Sequence, residues 1–173
     1  MNDVLEIVKY VLPSLVVLAT SYYLLKLFIE NEQKKRNMDI KMAGYKIITP
    51  IRLQAYERLV LFLERISPES LIMRVHKTDM TAAQMQSVLL QNVREEFEHN
   101  LSQQVYVSSS AWDLIRTARE DIIKLVNTAA AKLNDNATAT DLGQKIFELS
   151  LSENKLVTKS ALEFLKNEIR QVF

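Results

Sequence analysis

The sequence predicts an all-α protein: an N-terminal transmembrane helix followed by a compact cytoplasmic helical bundle. Three observations carry that expectation. Tyr10–Leu25 contains no charged side chain, and Leu27, Phe28 and Ile29 prolong the apolar run past a solitary Lys26. The chain is 48% hydrophobic with only two glycines and three prolines, a balance that favours long helices over turn-rich sheets. After Pro50, apolar residues recur at steps of three and four, the period of one helix face.

The apolar run comes first. A helix from Tyr10 to Ile29 is about 30 Å long, the thickness of a bilayer's hydrocarbon core. It is apolar on every side, whereas a helix lying on a soluble core keeps a polar stripe. Ser14, Thr20 and Ser21 can bond back to helix carbonyls, and Lys26 lies near one end, where its stem reaches the headgroups. Pro13 falls about one turn into the run, and Tyr10, Tyr22 and Tyr23 stand near its ends, as interfacial aromatics do. A cleaved signal peptide is the rival reading. Asp3 and Glu6 offset Lys9 in what would be its basic region, and no small-residue cleavage pair follows, so the segment is expected to be retained.

Its flanks set an expected orientation. One lysine precedes the span, whereas Lys34, Lys35, Arg36, Lys41 and Lys46 follow it. The positive-inside bias therefore places the N-terminus outside and the rest in the cytoplasm, as a single-pass protein of the cell (inner) membrane. The absence of cysteine fits a reducing compartment. The expected organisation is a segment 1–37 with the span at about 10–29 and its basic flank, a juxtamembrane linker 38–49, and a helical domain 50–173. The basic stretch has two readings: a flank that sets topology, which is preferred, or a lipid-binding surface into which Ile40, Met42, Tyr45, Ile47 and Ile48 dip. Gly44 is the expected swivel.

The domain's helices follow in order. Thr49-Pro50 reads as an N-cap with proline at the first helical position, leading into Ala55, Tyr56, Leu59, Val60, Leu63 and Ile66. Ser67-Pro68 repeats the signal, so that helix stops near Ile66 and a short one follows. Thr81 and Gln84 form a capping box for a helix with the ladder Met85, Leu89, Val93, Phe97 and Leu101, widened by Val88. Ser108–Ser110 offer caps for the stripe Trp112, Ile115, Ala118, Ile122, Leu125, Ala129 and Leu133. Asn134-Asp135-Asn136 ends it, and Thr140 or Asp141 is expected to cap a helix with Leu142, Ile146 and Leu149. A last helix, roughly Lys155 to Val172, aligns Leu162, Leu165, Ile169 and Val172. Peripheral-stalk subunits of rotary ATPases also follow one span with helix, but theirs is long and unbroken; Pro50, Pro68 and the Ser/Asn breaks argue against that architecture.

Chemistry is sparse. Glu96 and His99 form an E-x-x-H on a helix, as in di-iron carboxylate bundles, which need two such motifs and two further inward glutamates. His76 has no glutamate three residues before it, and Phe97 belongs to the buried ladder, so Glu95, Glu96, Glu98 and His99 read as a solvated acidic turn. There is no cysteine, no G-x-S-x-G and no glycine-rich phosphate loop. Ser108-Ser109-Ser110 reads as a cap rather than a nucleophile, and Tyr56, Phe97 and Trp112 as core rather than a pocket. Met73, Met80 and Met85 suggest packing before an adaptable groove. A near-neutral, interspersed charge pattern over 50–173 gives no footprint for nucleic acid. No catalytic, cofactor-binding or metal-binding residue is assigned, and no cofactor is implied.

The run Ile48-Thr49-Pro50-Ile51-Arg52-Leu53-Gln54-Ala55-Tyr56-Glu57-Arg58-Leu59, preceded by one span and a basic flank, resembles a family of short, single-span, membrane-anchored helical proteins from Bacteroidota. The resemblance extends over most of the chain and implies no activity. Within it, Arg52, Tyr56 and Glu57 either face a partner or lipid, or clamp their helix to its neighbours; the clamp is preferred.

The expected function is that of a membrane-tethered, non-enzymatic interaction or scaffold protein, with the bilayer and a protein partner, or a second copy of itself, as its contacts. The alternative is a membrane-anchored enzyme or a small-molecule or metal-binding bundle. An uncovered apolar patch points to the first, an inward polar cluster to the second.

Overall fold

The computed structural model describes residues 2–77, 79–152 and 157–172, with side chains over 9–77, 79–152 and 158–171. Every regular element among them is helical: α1 (Asn2–Ile66), α2 (Pro68–Val75), α3 (Ala82–His99), a 3-10 turn (Leu101–Val105), α4 (Ser109–Ala130), α5 (Ala139–Ser152) and α6 (Val157–Val172). The chain divides into two compact units, 1–49 and 50–173.

In the first unit, α1 is long and apolar enough to cross a membrane, with no part of its most apolar stretch buried. Leu15, Leu18, Leu24 and Phe28 all stand open to the surroundings. Ser14 and Thr20 donate their hydroxyls to the carbonyls of Val11 and Val16, at 2.7 and 2.8 Å, so neither leaves a free donor on that surface. Helix continues through residues 38–49, where the sequence suggested a linker, and Gly44 is an ordinary helical residue with nothing near its missing Cβ. Thr49 is accordingly no N-cap. Pro50 does not break α1, and this proline is no argument against a long helix.

The second unit holds the core. The last turns of α1 bury Ala55, Tyr56, Leu59, Phe62, Leu63 and Ile66. Phe62, absent from the predicted stripe, widens that face. The helix stops at Ile66 as expected, but Ser67 makes no side-chain cap for α2; its hydroxyl donates back to Glu64 O at 2.7 Å and closes α1. α4 lies centrally, touching α3, α5 and α6, while α2 packs on α3 and α5. Its predicted stripe is buried from Trp112 to Ala129, with Leu133 half-buried beyond the helix end at Ala130. On α3 the ladder is buried from Met85 to Phe97, whereas Leu101 has left it for the 3-10 turn and is 45% exposed. On α6, Leu165 is buried and Leu162 and Ile169 half-buried. The expected start at Lys155 and the side chain of Val172 lie outside the described residues.

Two capping boxes stand side by side. At α3, Gln84 N donates to the Thr81 hydroxyl at 3.2 Å, and Thr81 N donates to Gln84 Oε1 at 3.1 Å. At α5 the cap is Thr138 rather than Thr140 or Asp141. Asp141 N donates to Thr138 Oγ1 at 3.3 Å, while Thr138 N and Oγ1 both donate to the Asp141 carboxylate at 2.8 Å. The Thr138 amide, then its hydroxyl, hold that carboxyl below its ordinary range. Backbone bonds Ala82 N to Ala137 O (2.9 Å) and Ala139 N to Met80 O (3.0 Å) stitch the two loops together.

Candidate functional site

Three polar or aromatic constellations, an open groove and a smaller recess stand out among the described residues of the second unit. The first contains the E-x-x-H pair. Glu96 Oε1 is 2.9 Å from Arg65 Nε and 3.6 Å from Arg74 Nη1, and only 16% of its side chain is exposed. It therefore ties α3 to the end of α1 and to α2, which corrects its reading as part of a solvated turn. His99 is exposed. His76 Nε2 lies 3.3 Å from Thr140 Oγ1. Among the described residues no group of three or more His, Cys, Asp or Glu side chains is placed to hold a metal ion.

The second gathers Tyr56, Ser108 and Glu168. Tyr56 donates its hydroxyl to Glu168 Oε1 at 2.6 Å. Ser108 donates its hydroxyl to Glu168 Oε2 at 2.9 Å and its amide to Oε1 at 3.3 Å. The same hydroxyl accepts from Ala111 N at 3.1 Å, which makes Ser108 the cap of α4. No imidazole faces this serine; its proton is committed to a carboxylate, and the trio joins α1, α4 and α6. Burial first, then the neighbouring carboxylate, push the Tyr56 phenol up to about 12, so the ring stays a neutral donor. Arg52 Nε donates to Tyr106 O at 3.1 Å and fixes the residue that follows the 3-10 turn. Arg52 and Tyr56 thus act as clamps. Nothing in the local sequence signalled Glu168, which lies 112 residues from Tyr56.

The third is an aromatic stack. Phe97 stacks on Trp112 at 5.5 Å with the ring planes 29° apart, and meets Phe62 at 6.0 Å and 59°. The Arg119 guanidinium lies 4.3 Å over the Phe97 ring, and its buried Nε has no hydrogen-bond partner. The π face compensates part of that desolvation. Tyr56 is buried, and Met73 (83% exposed), Met80 (half-buried) and Met85 (buried) do not converge.

The open groove runs between α1 and the 3-10 turn, with a volume of about 710 Å³. Ile51, Leu61, Val105 and Tyr106 supply its apolar wall, and Gln54, Glu57, Arg58 and Ser102 its polar lining. Leu61 is 60% and Val105 77% exposed, large apolar side chains left uncovered beside a well-filled core. A smaller recess of about 370 Å³ lies among Leu63, Ser67, Pro68, Thr158, Lys159 and Leu162. Sequence periodicity did not mark the groove, because Ile51 and Leu61 fall outside the buried stripe and the 3-10 turn is too short to show a repeat.

No curated protein and no solved structure matches the chain. One family does: a family of unknown function, DUF7935, matches residues 2–172, and the chain belongs to that family.

Proposed function

We propose that this protein is a membrane-tethered, non-enzymatic interaction module. Residues 10–29 of α1 cross the membrane with the N-terminus outside, the lysines and arginine from Lys34 to Lys46 remain at the inner headgroups, and the domain 50–173 works at the cytoplasmic face. The observation that carries the interaction half is the open groove in which Ile51, Leu61, Val105 and Tyr106 stand exposed among Gln54, Glu57, Arg58 and Ser102. Exposed apolar side chains gathered beside polar ones support that reading, because a partner that covers them removes apolar area from water. Support for the membrane half is a run of exposed apolar residues long enough to span a bilayer, followed by basic residues.

The test has two arms. Carbonate washing of membranes from cells making the full chain should leave it in the pellet, and a reporter fused to its C-terminus should be active in the cytoplasm. A photoreactive residue in place of Leu61 should yield a discrete protein adduct, whereas the same residue in place of Met73, exposed but outside the groove, should not. Release by carbonate or external reporter activity overturns the anchored topology; absence of an adduct at Leu61 overturns the interaction surface.

A further inference from the structure

We infer that residues 101–108 form a separately opening strap along one wall of the groove, and that α6 holds this strap shut through the Glu168 carboxylate. The inference deepens the interaction reading proposed above, because the strap supplies Ser102, Gln103, Val105 and Tyr106 to that groove.

Little apolar burial fixes the strap. Leu101, Val105 and Tyr106 are exposed, and Val107 packs half-buried against the core. Gln103 is buried, yet its amide donates to its own neighbour, Ser102 Oγ, at 3.2 Å. The backbone bonds are equally local: Gln103 N donates to Asn100 O and Tyr106 N to Gln103 O, both at 3.0 Å. A segment with so few buried apolar contacts opens at a lower free energy than the domain unfolds.

Two long-range clamps oppose that opening. From α1, Arg52 Nε donates to Tyr106 O at 3.1 Å. Two residues further on, Ser108 gives its hydroxyl to Glu168 Oε2 at 2.9 Å and its amide to Oε1 at 3.3 Å. Glu168 Oε1 also accepts from the Tyr56 hydroxyl at 2.6 Å, so α1 steers the carboxylate that α6 presents. Each clamp joins a charged side chain to a strap residue, the stronger kind of hydrogen bond. Glu168 lies 60 residues from Ser108. Whatever draws α6 away from α1 and α4 therefore loosens the groove wall, and a partner seated on the closed wall favours docked α6 by the same factor.

Amide hydrogen exchange of the full chain in phosphatidylcholine nanodiscs reads the strap directly. Relative to their intrinsic rates, the Gln103 and Tyr106 amides should exchange at least about ten-fold faster than that of buried Leu89 in α3. Arg52→Gln and Glu168→Gln should each speed the two strap amides by about ten-fold or more. Glu168→Asp keeps the charge but draws the carboxylate back by one methylene; it should act in the same direction and serves if Glu168→Gln does not fold. Thr81→Ala is the control, a lost cap at the far end of α3. It should speed Leu89 about five-fold and leave Gln103 and Tyr106 unchanged. Strap amides that follow Thr81→Ala as closely as Leu89 does open only with the whole domain, and that overturns the inference. Strap rates untouched by either Glu168 variant overturn it too. Neither result depends on an adduct at Leu61, so failure of the strap and failure of the interaction surface are told apart.

Discussion

The two ends of α1 are both apolar, yet they answer to different surroundings. Leu18, in the first unit, is 67% exposed; Leu59, in the second, is 0% exposed. Around Leu18 apolar residues occupy every side of the helix, whereas around Leu59 they form a stripe whose other side carries Glu57, Arg58 and Arg65. Composition says only that a segment avoids water. The angular distribution of its apolar residues says what it meets instead: a stripe calls for protein, a full circumference for a medium that surrounds the helix. On the proposed reading that medium is lipid.

Crossed substitutions put the contrast to its hardest test. Leu59→Ala removes a fully buried side chain and should lower the stability of the domain by about 2–5 kcal/mol, read by thermal or denaturant unfolding. Leu18→Ala should leave that transition unchanged. Leu18→Arg should leave it unchanged too while costing about 2.5–3.5 kcal/mol of membrane insertion, seen as loss from the carbonate-washed pellet. A domain destabilised by Leu18→Ala erases the distinction between the two ends.

A finer test lies at the start of the buried end. Tyr56→Phe removes a hydrogen bond to a carboxylate and should cost about 1.5–3 kcal/mol. Because the folded protein holds this phenol above its unfolded value of 10, its contribution is fully present below pH 10 and is lost as pH rises through about 12. Phenolate absorbance should show an ionisation step near pH 12, and that step should vanish in Tyr56→Phe. The smallest effect is expected at a cap. Thr81→Ala should cost about 1 kcal/mol in the domain's unfolding transition and nothing in membrane retention.

How much of this was legible in the sequence is shown by two matching dipeptides. Thr49-Pro50 and Ser67-Pro68 carry the same helix-start signal, yet only the second marks a boundary. At Ser67, buried Ile66 and Leu71 need the chain to turn so that α2 covers the same core, and the Ser67 hydroxyl helps close the preceding helix. No buried side chain immediately before Thr49 demands such a turn. Helix continues through Pro50 without the hydrogen bond that proline cannot donate and despite the crowding of its ring against the preceding turn. Caps written within four residues, such as Thr81 with Gln84, were readable because both partners lie in one window. Glu168 with Tyr56, and Glu96 with Arg65 and Arg74, were not, because tertiary packing alone makes them neighbours. The groove escaped for the same reason: one of its walls is a 3-10 turn about 50 residues from the other.

The paired backbone strips at Thr81 and Thr138 bear on how the protein can be handled. Connections between helices are ordinarily where a chain tolerates a splice, an inserted tag or a new pair of termini. Here two of them are sewn to each other, and each also carries the cap of the helix it precedes. An insertion beside either threonine disturbs the entry to both α3 and α5, so what looks like the safest place to cut the domain is among the most damaging.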